Sequence, residues 1–130
     1  MKITPVLFVD QIEASLPFWV DALGFEKTVE VPDGNRLGFV ILQKGAAEVM
    51  FQTFESARKD VGDAANIAGA GKTNLFVEVD DFDDILKRTA RAEVVLPVRT
   101  TFYGMKEIGI REPGGHYVCF AARVETAAAR

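Results

Sequence analysis

Cysteine is close to absent from this chain: Cys119 is its one thiol, which excludes an internal disulfide and suits a reducing compartment. Histidine is as scarce. His116 has no second imidazole with which to share a metal ion. No apolar run approaches the ~18–20 residues that a helix needs to span a bilayer, and the N-terminus has no signal-peptide core. Basic residues are in deficit, 15 Lys and Arg against 19 Asp and Glu, and a net charge of −4 with a pI near 5.0 leaves no basic stripe to neutralise phosphates. These absences point away from nucleic acid and from a membrane, towards a soluble, cytoplasmic protein. What is present is 130 residues, 48% of them hydrophobic, enough for one domain with a core of its own.

The stretch that organises the chain is Leu7-Phe8-Val9-Asp10 leading into Leu16-Pro17-Phe18-Trp19-Val20-Asp21-Ala22-Leu23-Gly24, which reads as a strand feeding a helix. Pro5, Leu7 and Val9 alternate with Thr4, Val6 and Phe8, as a strand's period of two requires. In the helix, Leu16, Val20 and Leu23 fall at i, i+4 and i+7, and Gly24 supplies a left-handed stop. Seventy residues later the unit returns: Val79-Asp80 matches Val9-Asp10, Leu86 matches Leu16, Phe76 matches Val6 and Asn74 matches Thr4. Strand face and helix phase both survive the offset, so the pattern reads as a duplicated strand-helix module.

Strands are expected at 25–31, 36–43 and 47–54 after the first helix, with a hairpin turn at Pro32-Asp33-Gly34-Asn35. The second half repeats the order, with a strand at 73–79, a helix at 82–91 capped by Asp80 or Asp81, and strands at 94–99, 105–111 and 116–123. The first module then occupies about residues 3–55 and the second about 72–124. Polar and small residues between them, 56–71, read as a linker or mobile flap. Each strand has one apolar face for a helix, and the opposite faces mix polar and aromatic groups, the character of a ligand cleft.

With that order in place, the sequence resembles the glyoxalase/bleomycin-resistance/extradiol-dioxygenase superfamily, the vicinal oxygen chelate fold. The resemblance rests on Pro5-Val6-Leu7-Phe8-Val9-Asp10, Ser15-Leu16-Pro17-Phe18-Trp19, Leu23-Gly24-Phe25-Glu26, Phe76-Val77-Glu78-Val79-Asp80-Asp81, Phe102-Tyr103-Gly104-Met105-Lys106-Glu107 and Glu112-Pro113-Gly114-Gly115. It implies an α+β fold in which two βαβββ modules form curved mixed sheets around a cleft. It also implies a homodimer, because such proteins commonly pair modules between chains. Metal-dependent members carry His, Glu or Gln on the cleft face of the first and last strand of each module. Thr4, Met50, Asn74 and Cys119 stand at the matching positions here, none of them a hard anionic ligand or an imidazole, so no metal and no cofactor is expected. His116, beside a Pro-Gly-Gly turn, is expected in solvent.

The expected ligand site is the cleft-facing phase: Phe8, Glu48, Met50, Gln52, Asn74, Phe76, Tyr103, Glu107, Tyr117 and Cys119. Phe8, Phe76, Tyr103 and Tyr117 offer ring faces to a planar or cationic compound. Glu48, Glu78 and Glu107 share the phase and would recognise a cation, unless they pair with Arg36 or Arg99. The leading expectation is a metal-free binder of the bleomycin-resistance type that sequesters an aromatic or cationic organic compound. The alternatives are a metal-dependent lyase, isomerase or dioxygenase of the same superfamily, and a non-catalytic dimerising subunit.

Overall fold

The computed structural model describes residues 1–124; the Ala-rich tail, 125–130, lies outside the described residues. Two four-stranded sheets are built in the same order. In the first, β1 (Val6–Val9) lies parallel to β4 (Ala47–Thr53), which pairs antiparallel with β3 (Arg36–Lys44), which pairs antiparallel with β2 (Glu26–Asp33). In the second, β5 (Asn74–Glu78) lies parallel to β8 (Tyr117–Arg123), followed by β7 (Met105–Arg111) and β6 (Glu93–Thr100). The two sheets have the same order, β1-β4-β3-β2 and β5-β8-β7-β6, so the expected α+β fold of two βαβββ modules is present.

A single π-type turn, Pro17–Ala22, follows β1, with Leu23 N–H donating to Phe18 O at 3.0 Å, and Gly24 ends it at φ +83°. Its counterpart after β5 is the helix Phe82–Arg88, where the Asp81 carboxylate accepts Asp84 N–H at 3.0 Å. Leu7, Val9, Val49 and Phe51 of the first sheet meet Phe18, Trp19 and Phe82, and the same cluster continues into Ile108, Ile110, Val118 and Phe120 of the second. Both halves share one core. Trp19 sits edge-on to Phe18, Phe25 and Phe51, with ring centroids 5.4–5.6 Å apart.

Two expectations fail. The span 54–68 is largely helical: α1 (Phe54–Val61), a 3₁₀ turn (Gly62–Ala64) and α2 (Ala65–Ala68). Thr53 caps α1 by accepting Ser56 N–H at 3.1 Å, and the two small residues Ala57 and Ala65 turn inward against Phe8. Nor is His116 in solvent. It is buried, its Nδ1 accepting Thr73 N–H at 2.9 Å and its Nε2 2.9 Å from Phe8 O, so the Nε2–H tautomer satisfies both ring nitrogens and ties β1 to the start of β5. Beside it the buried Glu112 carboxylate accepts Trp19 Nε1–H at 3.1 Å and His116 N–H at 3.0 Å. A Cβ on Gly114 would lie 2.6 Å from Val9 Cγ1, so only glycine lets this turn close on β1. The Glu-Pro-Gly-Gly turn is thus the joint between the halves.

Candidate ligand-binding site

Strand phase places the site. On the second sheet, away from the core, Asn74 and Phe76 project from β5, Glu107 from β7, and Tyr117 and Cys119 from β8; Tyr103 joins them from the turn before β7. These six, with Leu96 and Arg99 of β6, line a hollow of about 340 Å³. Cross-strand pairing fixes the register, Phe76 opposite Cys119, Cys119 opposite Gly109, and Glu107 opposite Arg99. Gly109 makes room for Tyr117: a Cβ there would stand 2.7 Å from Tyr117 Cζ and 2.8 Å from Leu96 Cβ.

Charge in the hollow is balanced. Glu107 is buried, and one of its oxygens accepts Arg99 Nε–H at 3.1 Å and Arg99 Nη2–H at 2.9 Å while the other accepts Tyr103 O–H at 2.8 Å. The Arg99 side chain is 54% exposed, so this pair is half in water and half in protein. The Glu107 carboxylate holds the Arg99 guanidinium and the Tyr103 phenol above their usual proton affinities. Burial, then the Glu107 charge, pushes the Cys119 thiol up, and burial does the same to the Tyr117 phenol. Of the three acids expected to converge, Glu107 is already paired with Arg99, Glu48 lies on the first sheet bound to Lys2 at 3.0 Å, and Glu78 is exposed beside another hollow. The free acidic cleft is therefore not formed.

The other expected residues sit on the first sheet. Phe8 is covered by Phe54, Ala57 and Ala65, and Gln52 Nε2–H donates to Ser56 Oγ of α1 at 3.4 Å. Met50 pairs with Val6, and Glu48 accepts Thr4 O–H at 3.2 Å. Every described residue lining the hollow on the second sheet belongs to that sheet or its turns, so within one chain Phe8, Glu48, Met50 and Gln52 are not brought to it. Arg99 was readable as a partner for Glu107. Leu96 and Gly109 were missed, although alternation along β6 and the pairing of β7 with β8 would have found them.

The family's metal calls for converging hard donors, and the donor set does not fit one. Asn74 is a neutral amide, burial raises the proton affinity of the Cys119 thiol, Met50 on the first sheet and Thr4 just before it offer only a thioether and a hydroxyl, and Glu107 is committed to Arg99 and Tyr103. Among the described residues no three of His, Cys, Asp and Glu are placed so that they could hold a metal ion. Among them too, no helix is long and apolar enough to cross a membrane.

Known structures share this architecture. TioX from Micromonospora sp. ML1 superposes with a TM-score of 0.75 at 19% identity, covering 95% of this chain and 99% of its own. The bleomycin-binding protein of bleomycin-producing Streptomyces verticillus, in complex with copper(II)-bleomycin, is 26% identical over 97% of each chain, with a TM-score of 0.59. Lactoylglutathione lyase from Agrobacterium tumefaciens gives 0.72 at 21% identity, over 94% of this chain and 92% of its own. No curated protein matches the sequence. The Glyoxalase/Bleomycin resistance protein/Dioxygenase superfamily profile matches residues 3–120, nearly the whole described chain: the chain belongs to that superfamily.

Proposed function

We propose that this protein is a metal-free binder that sequesters a planar aromatic compound of low net charge in the cytoplasm. The observation that carries the reading is the hollow on the second sheet, where the rings of Phe76, Tyr103 and Tyr117 surround an ion pair that is already neutral. Ring faces supply stacking area, while Asn74 and the rim of the Arg99–Glu107 pair supply the few polar contacts that orient a ligand. The earlier expectation of a cationic ligand gives way, because a cation would have to displace Arg99 from Glu107. The 26% identical bleomycin-binding protein supports a sequestering role.

The hollow is open, with Phe76 55% exposed, and a second copy would close it. We infer a homodimer, each cleft built from the second sheet of one chain and the first sheet of its partner.

The test is a thermal-shift screen of planar aromatic compounds of low net charge, with copper(II)-bleomycin as a separate arm, followed by calorimetry on whichever planar compound stabilises most. One equivalent per chain, recovered unchanged, is the expected result, with weaker binding in Tyr117→Ala. Conversion of a compound only after a divalent metal is added would overturn the reading in favour of a metal-dependent enzyme. A screen in which nothing stabilises would favour a dimerising subunit.

A further inference from the structure

On the side opposite the sheet faces, the two halves leave a groove of about 720 Å³, within the range of small-molecule sites. Its floor is apolar, made by Pro17, Phe18 and Ala22 of the first half and Ala92 and Pro113 of the second. Its walls carry Lys87, Arg88, Arg91 and Arg111, four of the 15 basic residues of a chain whose net charge is −4. That concentration runs against the overall charge.

The pairing within the groove decides which ligand charge it favours. Arg88 is taken up by Asp84 at 2.6 Å and by Ala22 O at 3.1 Å, and Arg111 lies 3.5 Å from Glu93. The carboxylate of Glu112, which also lines the groove, is already used by Trp19 and His116. What is left unpaired among the described residues is the ammonium of Lys87 and the guanidinium of Arg91, against the single carboxylate of Asp21. An apolar floor with an excess of positive charge at the rim fits a compound with a flat apolar body and one anionic end. We propose that this groove is a second binding site, separate from the sheet hollow, for small aromatic carboxylates, with Lys87 and Arg91 holding the carboxylate and Phe18 and Pro113 flanking the ring.

The chain's one tryptophan makes the site observable, because Trp19 Nε1–H donates to Glu112, one of the groove's lining residues. Titration of ¹⁵N-labelled protein with naphthalene-2-carboxylate should shift the single indole N–H resonance together with the backbone amides of 87–93. Naphthalene-2-carboxamide, the same shape without the charge, should bind about tenfold more weakly, the usual scale of one charge-assisted contact. Lys87→Ala with Arg91→Ala, both exposed positions, should weaken the carboxylate about tenfold or more and leave the carboxamide unchanged. Raising the salt from 50 to 500 mM should weaken only the carboxylate. Equal affinity for the two probes, unchanged carboxylate binding in the double variant, shifts confined to 74–76 and 117–119, or no shift at millimolar probe would each overturn the proposal.

Discussion

Gly109 and Cys119 face one another across β7 and β8, and each makes a test of the hollow. An added methyl on Gly109 would stand 2.7 Å from the Tyr117 ring, which lines the hollow and would have to shift. Gly109→Ala is therefore expected to fill the site: ligand affinity in calorimetry should fall at least tenfold, with the free energy of unfolding lowered by about 1–3 kcal/mol through overpacking. Cys119 tests the electrostatics. Its raised proton affinity means that alkylation by iodoacetamide should be slow at pH 7 and should rise with a midpoint above the ordinary thiol value of about 8.5. The folded chain holds this proton more tightly than the unfolded chain does. Its contribution to stability is therefore complete below the ordinary thiol range and is lost as pH climbs through the raised value. Glu107→Gln removes one of the causes, so the alkylation midpoint should move down; a midpoint that stays put would sink this account. Side-chain direction was legible at this scale because strand alternation is local. What a side chain bonds to was not, since the same phase that aimed Glu107 into the cleft could not reveal that Arg99, eight residues earlier, would neutralise it. His116 shows the same limit: a lone histidine beside a Pro-Gly-Gly turn reads as solvated, and its two partners, Thr73 and Phe8, lie 43 and 108 residues away.

Among the elements, strands and their turns were readable from period two and from Gly and Pro, and the helix over Phe82–Arg88 from its capping carboxylates. α1 was hidden because its inner face holds only Phe54 and Ala57, too few for an apolar stripe, and its cap, Thr53, is also the last residue of β4. The joint was hidden for another reason. Glu112 and Trp19 are 93 residues apart, and a carboxylate at a turn reads as exposed until the indole that buries it is known. This contact carries the next prediction. Trp19→Phe keeps most of the ring packing against Phe18, Phe25 and Phe51 but leaves one Glu112 oxygen buried without its donor. The cost should be about 1–3 kcal/mol from that oxygen, on top of a smaller packing loss. Urea unfolding of the variant measures it, and Trp19→Phe in a Glu112→Gln background should cost less, because a neutral amide suffers less from losing one donor. An equal cost in both backgrounds would show that Trp19 acts through packing and not through the joint.

At the scale of the molecule, the two sheets share one core but leave their other faces unequal. The first is partly covered by α1 and α2 over Phe8, while the second is bare. Apolar side chains collect beside the bare face and along the edge strands: Val94, Val95 and Val98 on β6 are each about half exposed, Phe102 is 99% exposed, and Val29 and Val31 line β2 at the other sheet's edge. Isolated exposed valines need no explanation, but three on one edge strand, with a fully exposed phenylalanine just beyond its end, leave an apolar edge that a second copy would cover. A twofold arrangement would let the same surfaces meet twice and close two hollows at once. Sedimentation at micromolar concentration should give twice the chain mass of 14.3 kDa. Val98→Asp puts a charge into that edge without touching the hollow's lining, so it should shift the mass towards the monomer and weaken ligand binding in parallel, the two changes titrating together with protein concentration. A wild-type monomer that binds its ligand stoichiometrically, or a monomeric Val98→Asp variant that binds as tightly as the dimer, would show that the second sheet is a complete site and that the exposed valines serve something else.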